Sequence, residues 1–357
     1  MYRMSVELQL GKQWGLRRMA SPEGHFKMMA VDQRHQIAGL IADNLGIGAD
    51  EVRFADMVAA KRMLVQELGA HVSAVLLDPN YSFPGALEKT PAHAGLLVTL
   101  EDNRYEDSAG GRSSRSIPDW SVEKIKRCGA DGVKLLTWYR PDAAPDMRAR
   151  QQRFVETVGD DCRRHDIALV LELLVYPFAQ ATANSRDALD AADSRAALVL
   201  DSVREFIHPR YGVDLLKLES PLPGATLPPR DNGAAHMQAQ RWFDDMGAVC
   251  RSAGLPWVML SAGVTHAQFM RVMEYAYAAG ANGFLAGRAI WWEALRQFPH
   301  LERVAAQLRQ QGRAHLQELD ALTLREGRRW HADYAALAAM QSEGEVCSGY
   351  GREPAAK

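Results

Sequence analysis

The sequence lacks the features that mark membrane, secreted and nucleic-acid-binding proteins. It has no run of about 18 apolar residues, so the chain is not expected to span a membrane. Residues 1–20 have no apolar core and no small-residue cleavage site, so no secretory signal is expected and we predict a cytoplasmic protein. The 357 residues carry a formal net charge of -2, which gives no reason to expect nucleic acid or an anionic membrane surface as a partner.

Cysteine and histidine patterns typical of metal centres are also missing. The four cysteines, Cys128, Cys162, Cys250 and Cys347, form no C-x-x-C pair, which fits reduced thiols. Histidine is a usual ligand of catalytic zinc, and none of the predicted strand ends below carries a histidine. We therefore expect neither a metal nor another cofactor.

Eight short apolar runs are separated mostly by segments that can form helices. The runs are almost continuously apolar, as in strands that are buried on both faces. Eight strands alternating with helices favour a closed (β/α)8 barrel, the TIM barrel. An open, doubly wound sheet is the alternative, but no G-x-G-x-x-G follows the first run. The runs span residues 28–32, 74–78, 95–101, 132–136, 168–175, 214–219, 257–263 and 283–288.

The remaining segments predict additions to this barrel. The barrel domain is expected over residues 25–299, after an N-terminal extension at 1–24. Residues 300–342 are interpreted as extra helices packed on the barrel, and 343–357 as a mobile tail. The Gly/Ser/Arg-rich segment 102–120 follows the third run, so it should lie at the C-terminal face, either as a surface loop or as a lid.

Three consecutive runs contain an ionisable residue among valines and leucines. These residues are Lys134 in "GVKLL", Glu172 in "LVLELLV" and Lys217 in "DLLKLES". Adjacent barrel strands at similar register would direct all three side chains into one cavity. Buried charges are usually paired, shifted in pKa, or both. A structural ion pair is one interpretation, but three such residues on consecutive strands favour catalysis.

The catalytic interpretation is chemistry by a lysine amine. A lysine attacks a ketone only as the neutral amine, which requires a pKa below the usual ~10.4; desolvation and a neighbouring cation both lower it. We assign the attack to Lys217, with Lys134 as the neighbouring cation and Glu172 as the proton carrier. Asp32, at the end of the first run, is expected to bond an amine or a sugar hydroxyl. Glu219 is either a second carboxylate or a loop-facing residue.

The ends of the last two runs predict a phosphate site. Loops after strands 7 and 8 are the usual phosphate-binding place in this architecture. Ser261 supplies a hydroxyl, Gly263 and Gly287 allow backbone N–H groups to approach an anion, and Arg288 offers a bidentate fork. For either glycine alone, a tight turn without a ligand is the alternative.

The segment "VDQRHQI" adds Gln33 and Arg34 to the same face of the barrel. Arg34 is a candidate for binding a second anion at the other end of a substrate. A surface arginine near the start of a helix is the alternative interpretation.

These residues lie in motifs that resemble the class I tagatose 1,6-bisphosphate aldolase family of the lactose pathway, within the Schiff-base aldolases that include deoxyribose-phosphate aldolase. The resemblance implies a TIM barrel and a metal-independent retro-aldol reaction on a phosphorylated ketose, giving dihydroxyacetone phosphate and a three-carbon aldehyde. It implies that Lys217 forms the Schiff base and that Glu172 acts as acid and base. It also matches Lys134, Asp32, Gln33 and Arg34, and puts the 1-phosphate on Ser261, Gly287 and Arg288. The motifs are "AVDQR", "LLDPNYS", "IPDWSVEKIKRCGADGVKLLTWY", "LVLELLVY", "DLLKLESP", "PWVMLSAGV" and "GFLAGRAIW", over residues 26–292.

The chain departs from the family pattern at the mouth of the barrel. His35 stands where the family often has a small residue, and the proline-rich loop after Lys217 is longer. The same pattern also resembles the sulfofructose 1-phosphate aldolases, whose substrate carries a sulfonate at its far end. That substrate, another ketose 1-phosphate, and a non-catalytic phosphosugar-binding protein are the alternatives. The sequence leaves open the C4 stereochemistry of the substrate and whether the protein is a homo-oligomer.

Overall fold

The structure is a computed structural model, and it describes residues 10–108, 110–178, 189, 191–231, 233–330, 343–344 and 347. Residues 1–9 of the predicted extension lie outside the described part. So do residues 331–342 and most of the predicted tail, so the expectations for those segments stay predictions.

The described chain alternates strands and helices along most of its length. The strands are β1 Phe26–Ala30, β2 Ala74–Leu77, β3 Gly95–Thr99, β4 Glu106–Ser108, β5 Gly111–Ser113, β6 Gly132–Trp138, β7 Ala168–Leu174, β8 Leu215–Leu218, β9 Trp257–Met259 and β10 Gly283–Ala286. The α-helices are α1 Leu10–Met19, α2 His35–Leu45, α3 Phe54–Leu68, α4 Phe83–Ala86, α5 Val122–Arg127, α6 Pro145–Arg164, α7 Ala192–Phe206, α8 Gly233–Ala253, α9 His266–Ala278, α10 Arg288–Leu295, α11 Leu301–Gln307 and α12 Arg313–Glu326. None of the helices in the described ranges is long and apolar enough to cross a membrane.

Eight of the strands close into a parallel barrel, which confirms the predicted (β/α)8 fold. Their order around the barrel is β1-β10-β9-β8-β7-β6-β3-β2. Strands β4 and β5 pair with each other as a separate antiparallel hairpin after β3. The sequence did not predict this hairpin because its strands are three residues long and polar, so they carry no apolar periodicity.

The barrel interior changes from apolar to charged along the strand direction. Buried apolar side chains from seven of the strands pack below the C-terminal ends, and the charged residues of the candidate site follow above them. Every second residue of a strand points inward, so each strand contributes both apolar and charged side chains to the interior. The interior apolar set is Phe26, Met28, Ala30, Ala74, Leu76, Leu97, Ala168, Val170, Leu215, Val258 and Leu285.

Helix α1 covers the N-terminal end of the barrel. The backbone N–H groups of Gly11 and Lys12 donate to the carboxylate of Asp166, just before β7, at 2.8 and 3.2 Å. The buried Lys12 ammonium lies 2.9 Å from Oδ2 of Asp214, just before β8. Burial raises the pKa of Asp214, and the Lys12 ammonium opposes that rise. The ion pair therefore offsets part of the cost of burying this carboxylate.

Replacing Lys12 by Met should destabilise the protein strongly without touching the candidate site. The change leaves Asp214 buried without its ammonium, which costs about 3–5 kcal/mol of unfolding free energy. Arg17→Ala, at an exposed position of the same helix, is the control and should change stability by less than about 0.5 kcal/mol. Chemical denaturation monitored by circular dichroism measures both values.

The loss in Lys12→Met should shrink as the pH is lowered. A carboxyl group whose pKa is raised in the folded state takes up its proton before the unfolded chain does, so acid relieves the unpaired charge of Asp214. A loss that stays constant from neutral pH into the acid range would contradict this explanation.

Candidate active site

Two buried lysines share one carboxylate oxygen at the C-terminal end of the barrel interior. Nζ of Lys217 lies 2.9 Å from Oε2 of Glu172, and Nζ of Lys134 lies 2.8 Å from the same oxygen. Lys134 also reaches Oδ2 of Asp32 at 3.0 Å and the carboxylate of Glu101. The structure therefore brings together the four residues that the sequence assigned to catalysis.

Strand register explains how these side chains meet. Glu172 on β7 lies directly beside Lys217 on β8, so the two side chains point inward at the same level. Lys134 on β6 lies beside Val170, two residues lower, rather than beside Glu172. Its long side chain extends upward past that difference and reaches the oxygen of Glu172. The expected similar register thus holds for two of the three strands.

The ionisation of the cluster follows from its mutual contacts. Burial alone would raise the pKa of Glu172. Lys134 and Lys217 together lower it by more, so the pKa lies below its usual value. The pKa of Asp32 is likewise raised by burial and lowered more strongly by Lys134 and Lys217, so it is well below its usual value. Burial lowers the pKa of Lys134, but Asp32, Glu101 and Glu172 together raise it above its usual value. Lys134 is therefore a permanent cation between carboxylates.

Glu101 is a member of the cluster that the sequence analysis missed. It follows β3, is buried, and pairs with Lys134 through Oε1. Its Oε2 accepts a hydrogen bond from the backbone N–H of Leu136 at 3.1 Å. The signal was present, because Glu101 ends the apolar run 95–101. Asp32, which the sequence did predict, occupies the same position at the end of the run 28–32.

Glu219 has its own partners beyond the lysine cluster. Its Oε1 accepts a hydrogen bond from the backbone N–H of Val175 at 2.7 Å, and Oε2 pairs with Arg195 of α7. Burial raises the pKa of Glu219 to about 7, against the opposing effect of Arg195. These contacts make Glu219 a buried carboxylate that ties α7 to the end of β8, which differs from both interpretations given from the sequence.

The predicted phosphate residues after β9 and β10 form a tight turn beneath an arginine. Ser261 is buried, and its carbonyl accepts from the N–H of Val264 at 3.0 Å. Ala262 and Gly263 both have left-handed backbone, at φ 48° and 82°. A Cβ atom on Gly263 would lie 2.6 Å from Nη1 of Arg288, so the guanidinium packs on the glycine itself. A turn conformation can direct successive backbone N–H groups into one concavity that suits an anion.

Gly287 brings the start of α10 close to the end of β1. A Cβ atom there would lie 2.6 Å from the carbonyl oxygen of Ala30 and 2.9 Å from Nε2 of Gln33. Helix α10 begins at the next residue, Arg288, with no side-chain cap. Gln33 is thus placed beside the positive end of a helix, where an anion is favoured. Burial lowers the pKa of Arg288, with Glu172 and Asp32 opposing this effect.

Arg34 is buried at the C-terminal face of the barrel, and not all of its hydrogen-bond donors have a partner in the described part of the chain. Nη2 donates to the backbone carbonyl of Glu101 at 3.0 Å and lies 4.0 Å from its Oε1. Within the described ranges, Nε and Nη1 of Arg34 are buried without a hydrogen-bond partner. Unpaired buried donors are unusual and indicate a position where a ligand or water completes the contacts.

Within the predicted segment 102–120, the β4–β5 hairpin packs against residues at the mouth of the barrel. Arg112 of the β4–β5 hairpin pairs with Asp107 and stacks over the rings of Tyr105 and Trp138, at 3.7 and 4.7 Å. Its backbone N–H donates to the hydroxyl of Tyr176 at 2.8 Å. The hairpin is therefore anchored to residues at the ends of β6 and β7, as a fixed surface element rather than a free loop.

Metal-ligating groups form no cluster in this part of the molecule or elsewhere in the described ranges. Within those ranges, no three His, Cys, Asp or Glu side chains are grouped so that they could hold a metal ion.

Comparison with known proteins gives the family. A family model described as DeoC/LacD family aldolase matches residues 26–293, three quarters of the chain. The chain belongs to the DeoC/LacD aldolase family. Tagatose 1,6-diphosphate aldolase 2 of Enterococcus faecalis is 31% identical over 334 residues, covering 92% of this chain and 98% of that protein. Tagatose 1,6-diphosphate aldolase of Listeria monocytogenes is 31% identical over 339 residues, covering 93% and 97%.

Solved structures of other aldolases share the fold. An archaeal fructose-1,6-bisphosphate aldolase, whose catalytic lysine is covalently bound to a carbinolamine intermediate, has a TM-score of 0.52 at 16% identity, covering 87% of this chain and 98% of that one. The fructose-bisphosphate aldolase of Plasmodium falciparum has a TM-score of 0.62 at 12% identity, covering 89% and 95%. With its family established by sequence, this DeoC/LacD protein is an enzyme of the aldolase type.

Replacing Gly263 by Ala should weaken anion binding at the predicted phosphate turn. The new Cβ atom would overlap Nη1 of Arg288 and displace the guanidinium, in addition to the strain of a left-handed alanine. Gly129→Ala is a matched control, because Gly129 has φ +79° but nothing within 4 Å of the added atom. Isothermal titration with inorganic phosphate should show at least a tenfold weaker affinity for Gly263→Ala alone. Equal affinities in the two variants would contradict the site.

Proposed function

We propose that this enzyme is a class I aldolase and cleaves a ketose 1,6-bisphosphate of the tagatose 1,6-bisphosphate type to dihydroxyacetone phosphate and glyceraldehyde 3-phosphate, through a Schiff base on Lys217. The observation that carries the proposal is the contact of Lys217 with Glu172 at 2.9 Å, beside the permanent cation Lys134. The tagatose 1,6-diphosphate aldolases of Enterococcus faecalis and Listeria monocytogenes, at 31% identity, support the choice of substrate.

The first half of the reaction uses Glu172 as a base and then as an acid. Glu172 is a carboxylate because the two lysines lower its pKa, so it can take a proton from the Lys217 ammonium. The neutral amine then adds to the C2 carbonyl of the ketose and forms a carbinolamine. Glu172 returns the proton to the carbinolamine hydroxyl, water leaves, and a protonated imine remains on Lys217.

The second half breaks the bond between C3 and C4. A base removes the proton from the C4 hydroxyl, the electrons of the C3–C4 bond move to the iminium nitrogen, and the aldehyde leaves. The resulting enamine is protonated at C3, and water hydrolyses the imine to release dihydroxyacetone phosphate. The Lys134 cation, fixed by Asp32 and Glu101, stabilises the oxyanion that develops.

Two anion sites would hold the ends of the substrate. The turn of Ser261 and Gly263, the N–H groups near Gly287 and the guanidinium of Arg288 are assigned to the 1-phosphate. Arg34, with its buried and unpartnered Nε and Nη1, is assigned to the anion at the far end. The reaction needs no metal in this scheme, because the protonated imine takes up the electrons. The predicted cytoplasmic location and a homo-oligomer stay predictions.

Borohydride trapping tests the Schiff base directly. Incubation with dihydroxyacetone phosphate followed by borohydride should label Lys217, as identified by mass spectrometry. Lys217→Met should show no label. Glu172→Gln should retain some label but lose most turnover, because removal of the proton carrier costs typically 10²–10⁴-fold, to order of magnitude. Absence of label in the wild-type enzyme, or loss of activity on adding EDTA, would exclude the proposal.

Arg34 tests whether the far end of the substrate carries an anion. Arg34→Met should raise KM for a ketose 1,6-bisphosphate by about 10- to 100-fold, because two charge-assisted hydrogen bonds are lost. KM for the matching ketose 1-phosphate should change by less than about threefold. Both substrates are assayed through triose release, and a sulfonate-bearing ketose 1-phosphate distinguishes the alternative far-end anion. Equal losses on both substrates would assign Arg34 to structure alone.

A further inference from the structure

A third buried lysine lies next to the active site and is not used in the proposed chemistry. Lys61 of α3 is 0% exposed, and its Nζ lies 2.7 Å from the backbone carbonyl oxygen of Val31. The same ammonium pairs with Asp78, which is also 0% exposed, and lies 3.4 Å from Oγ of Ser82. Lys61, Asp78, Ser82 and the carbonyl of Val31 are called the Lys61 clamp below.

The clamp is fully bonded within the protein. Oδ2 of Asp78 meets both Lys61 and the hydroxyl of Ser82, the latter at 2.7 Å. Oδ1 of Asp78 accepts from the backbone N–H groups of Asn80 and Tyr81, at 3.0 and 2.8 Å. These residues belong to the motif "LLDPNYS", which has no part in the chemistry proposed above. The motif folds the chain after β2 so that its carboxylate holds the lysine in one place.

The clamp fixes the peptide that carries Asp32. The N–H of Val31 donates to the carbonyl of Leu76 in the neighbouring strand at 2.9 Å, while the carbonyl of Val31 is held by Lys61. The carbonyl of Val31 belongs to the peptide between Val31 and Asp32. Lys61 and the hydroxyl of Ser82, which donates at 3.2 Å, both hold that peptide, whereas the N–H of Val31 holds the preceding one. Oδ2 of Asp32 lies 3.0 Å from Nζ of Lys134. The orientation of the peptide between Val31 and Asp32 therefore influences the position of the Asp32 carboxylate relative to the Lys134 ammonium.

Stability alone does not account for such a pair. Replacing a buried ion pair by apolar residues of similar volume is often neutral or stabilising, since desolvation offsets the attraction of the charges. An ammonium, however, carries three donors on one atom. In the clamp these donors face Val31, Asp78 and Ser82 at once, and this directionality fixes a backbone carbonyl in a way that apolar packing does not.

We infer that Lys61 is a positioning residue for Asp32, and that the Lys61 clamp sets the rate of turnover without touching the substrate. The inference rests on the proposed function, in which Asp32 holds the Lys134 cation. Loss of the clamp frees the Val31 carbonyl to rotate and moves the Asp32 carboxylate away from Lys134. A misplacement of about 1 Å at a reacting centre costs on the order of 10²-fold in rate.

A double-mutant cycle on kcat tests the inference. Lys61→Met is expected to lower kcat by about 10- to 100-fold, with a smaller change in KM. In an Asp32→Asn background the same change should lower kcat by less than about threefold, because both substitutions remove the same alignment. Losses that multiply fully across the cycle would overturn the inference, since they mean that Lys61 acts independently of Asp32.

Lys12→Met is the matched control for buried-charge effects. Like Lys61→Met, it leaves a buried aspartate without its ammonium, but at the opposite end of the barrel. It should lower the melting temperature comparably and leave kcat unchanged. A loss of kcat in Lys12→Met as large as that in Lys61→Met would assign both to general destabilisation and overturn the inference.

A milder variant covers the case in which Lys61→Met does not fold. Ser82→Ala removes one member of the clamp and leaves the ion pair, so we expect a folded protein with kcat lowered by at least threefold. That loss should vanish in the Asp32→Asn background. Wild-type kcat in a folded Ser82→Ala enzyme, together with an unfolded Lys61→Met, would show that the clamp serves stability and overturn the inference.

Imine trapping separates this inference from the proposed function. If the wild-type enzyme does not label at Lys217 with dihydroxyacetone phosphate and borohydride, the proposed function fails. If the wild type and Lys61→Met both label at Lys217 and turn over equally fast, the proposed function stands and the role of the clamp is excluded.

Discussion

One carboxylate oxygen, Oε2 of Glu172, holds two buried ammonium groups at 2.8 and 2.9 Å, and the polar interior of the barrel is built around this contact. Two cations at one anion would leave an excess positive charge in a place largely shielded from solvent, and such an excess is costly. The surrounding residues remove it, because the buried set has three cations and three carboxylates. They are Lys134, Lys217, Arg34, Asp32, Glu101 and Glu172.

The two lysines have unequal surroundings, and this inequality separates their roles. Lys134 contacts three carboxylates, which raise its pKa and keep it charged. The only ion pair of Lys217 within the described ranges is with Glu172. In the proposed mechanism Lys217 is therefore the nucleophile, because its single carboxylate partner is also the proton carrier. Lys134 is the fixed cation beside it, so the two lysines are not equivalent.

The sequence was informative where periodicity was strong. Eight apolar runs predicted the barrel, and ionisable residues inside those runs predicted Lys134, Glu172 and Lys217. It was uninformative where partners lie far apart in the chain. Glu101 ends its run, as Asp32 does, but nothing near it in the sequence identifies Lys134 as its partner. The β4–β5 hairpin is too short and polar to show a period. Only the folded barrel shows that a carboxylate after β3 meets a lysine of β6.

The turn after β1 depends most on the fold, because three consecutive residues reach three different strands. Asp32 crosses the interior to Lys134 of β6, Gln33 lies beside Gly287 at the end of β10, and Arg34 donates to Glu101 after β3. A small rotation of the peptide before Asp32 would move all three side chains together. The cation of the lysine cluster, the predicted phosphate turn and the far-end arginine would then lose their alignment at once. The whole site therefore depends on a fixed carbonyl of Val31. Holding that carbonyl is the function that we infer for Lys61, the buried lysine of α3.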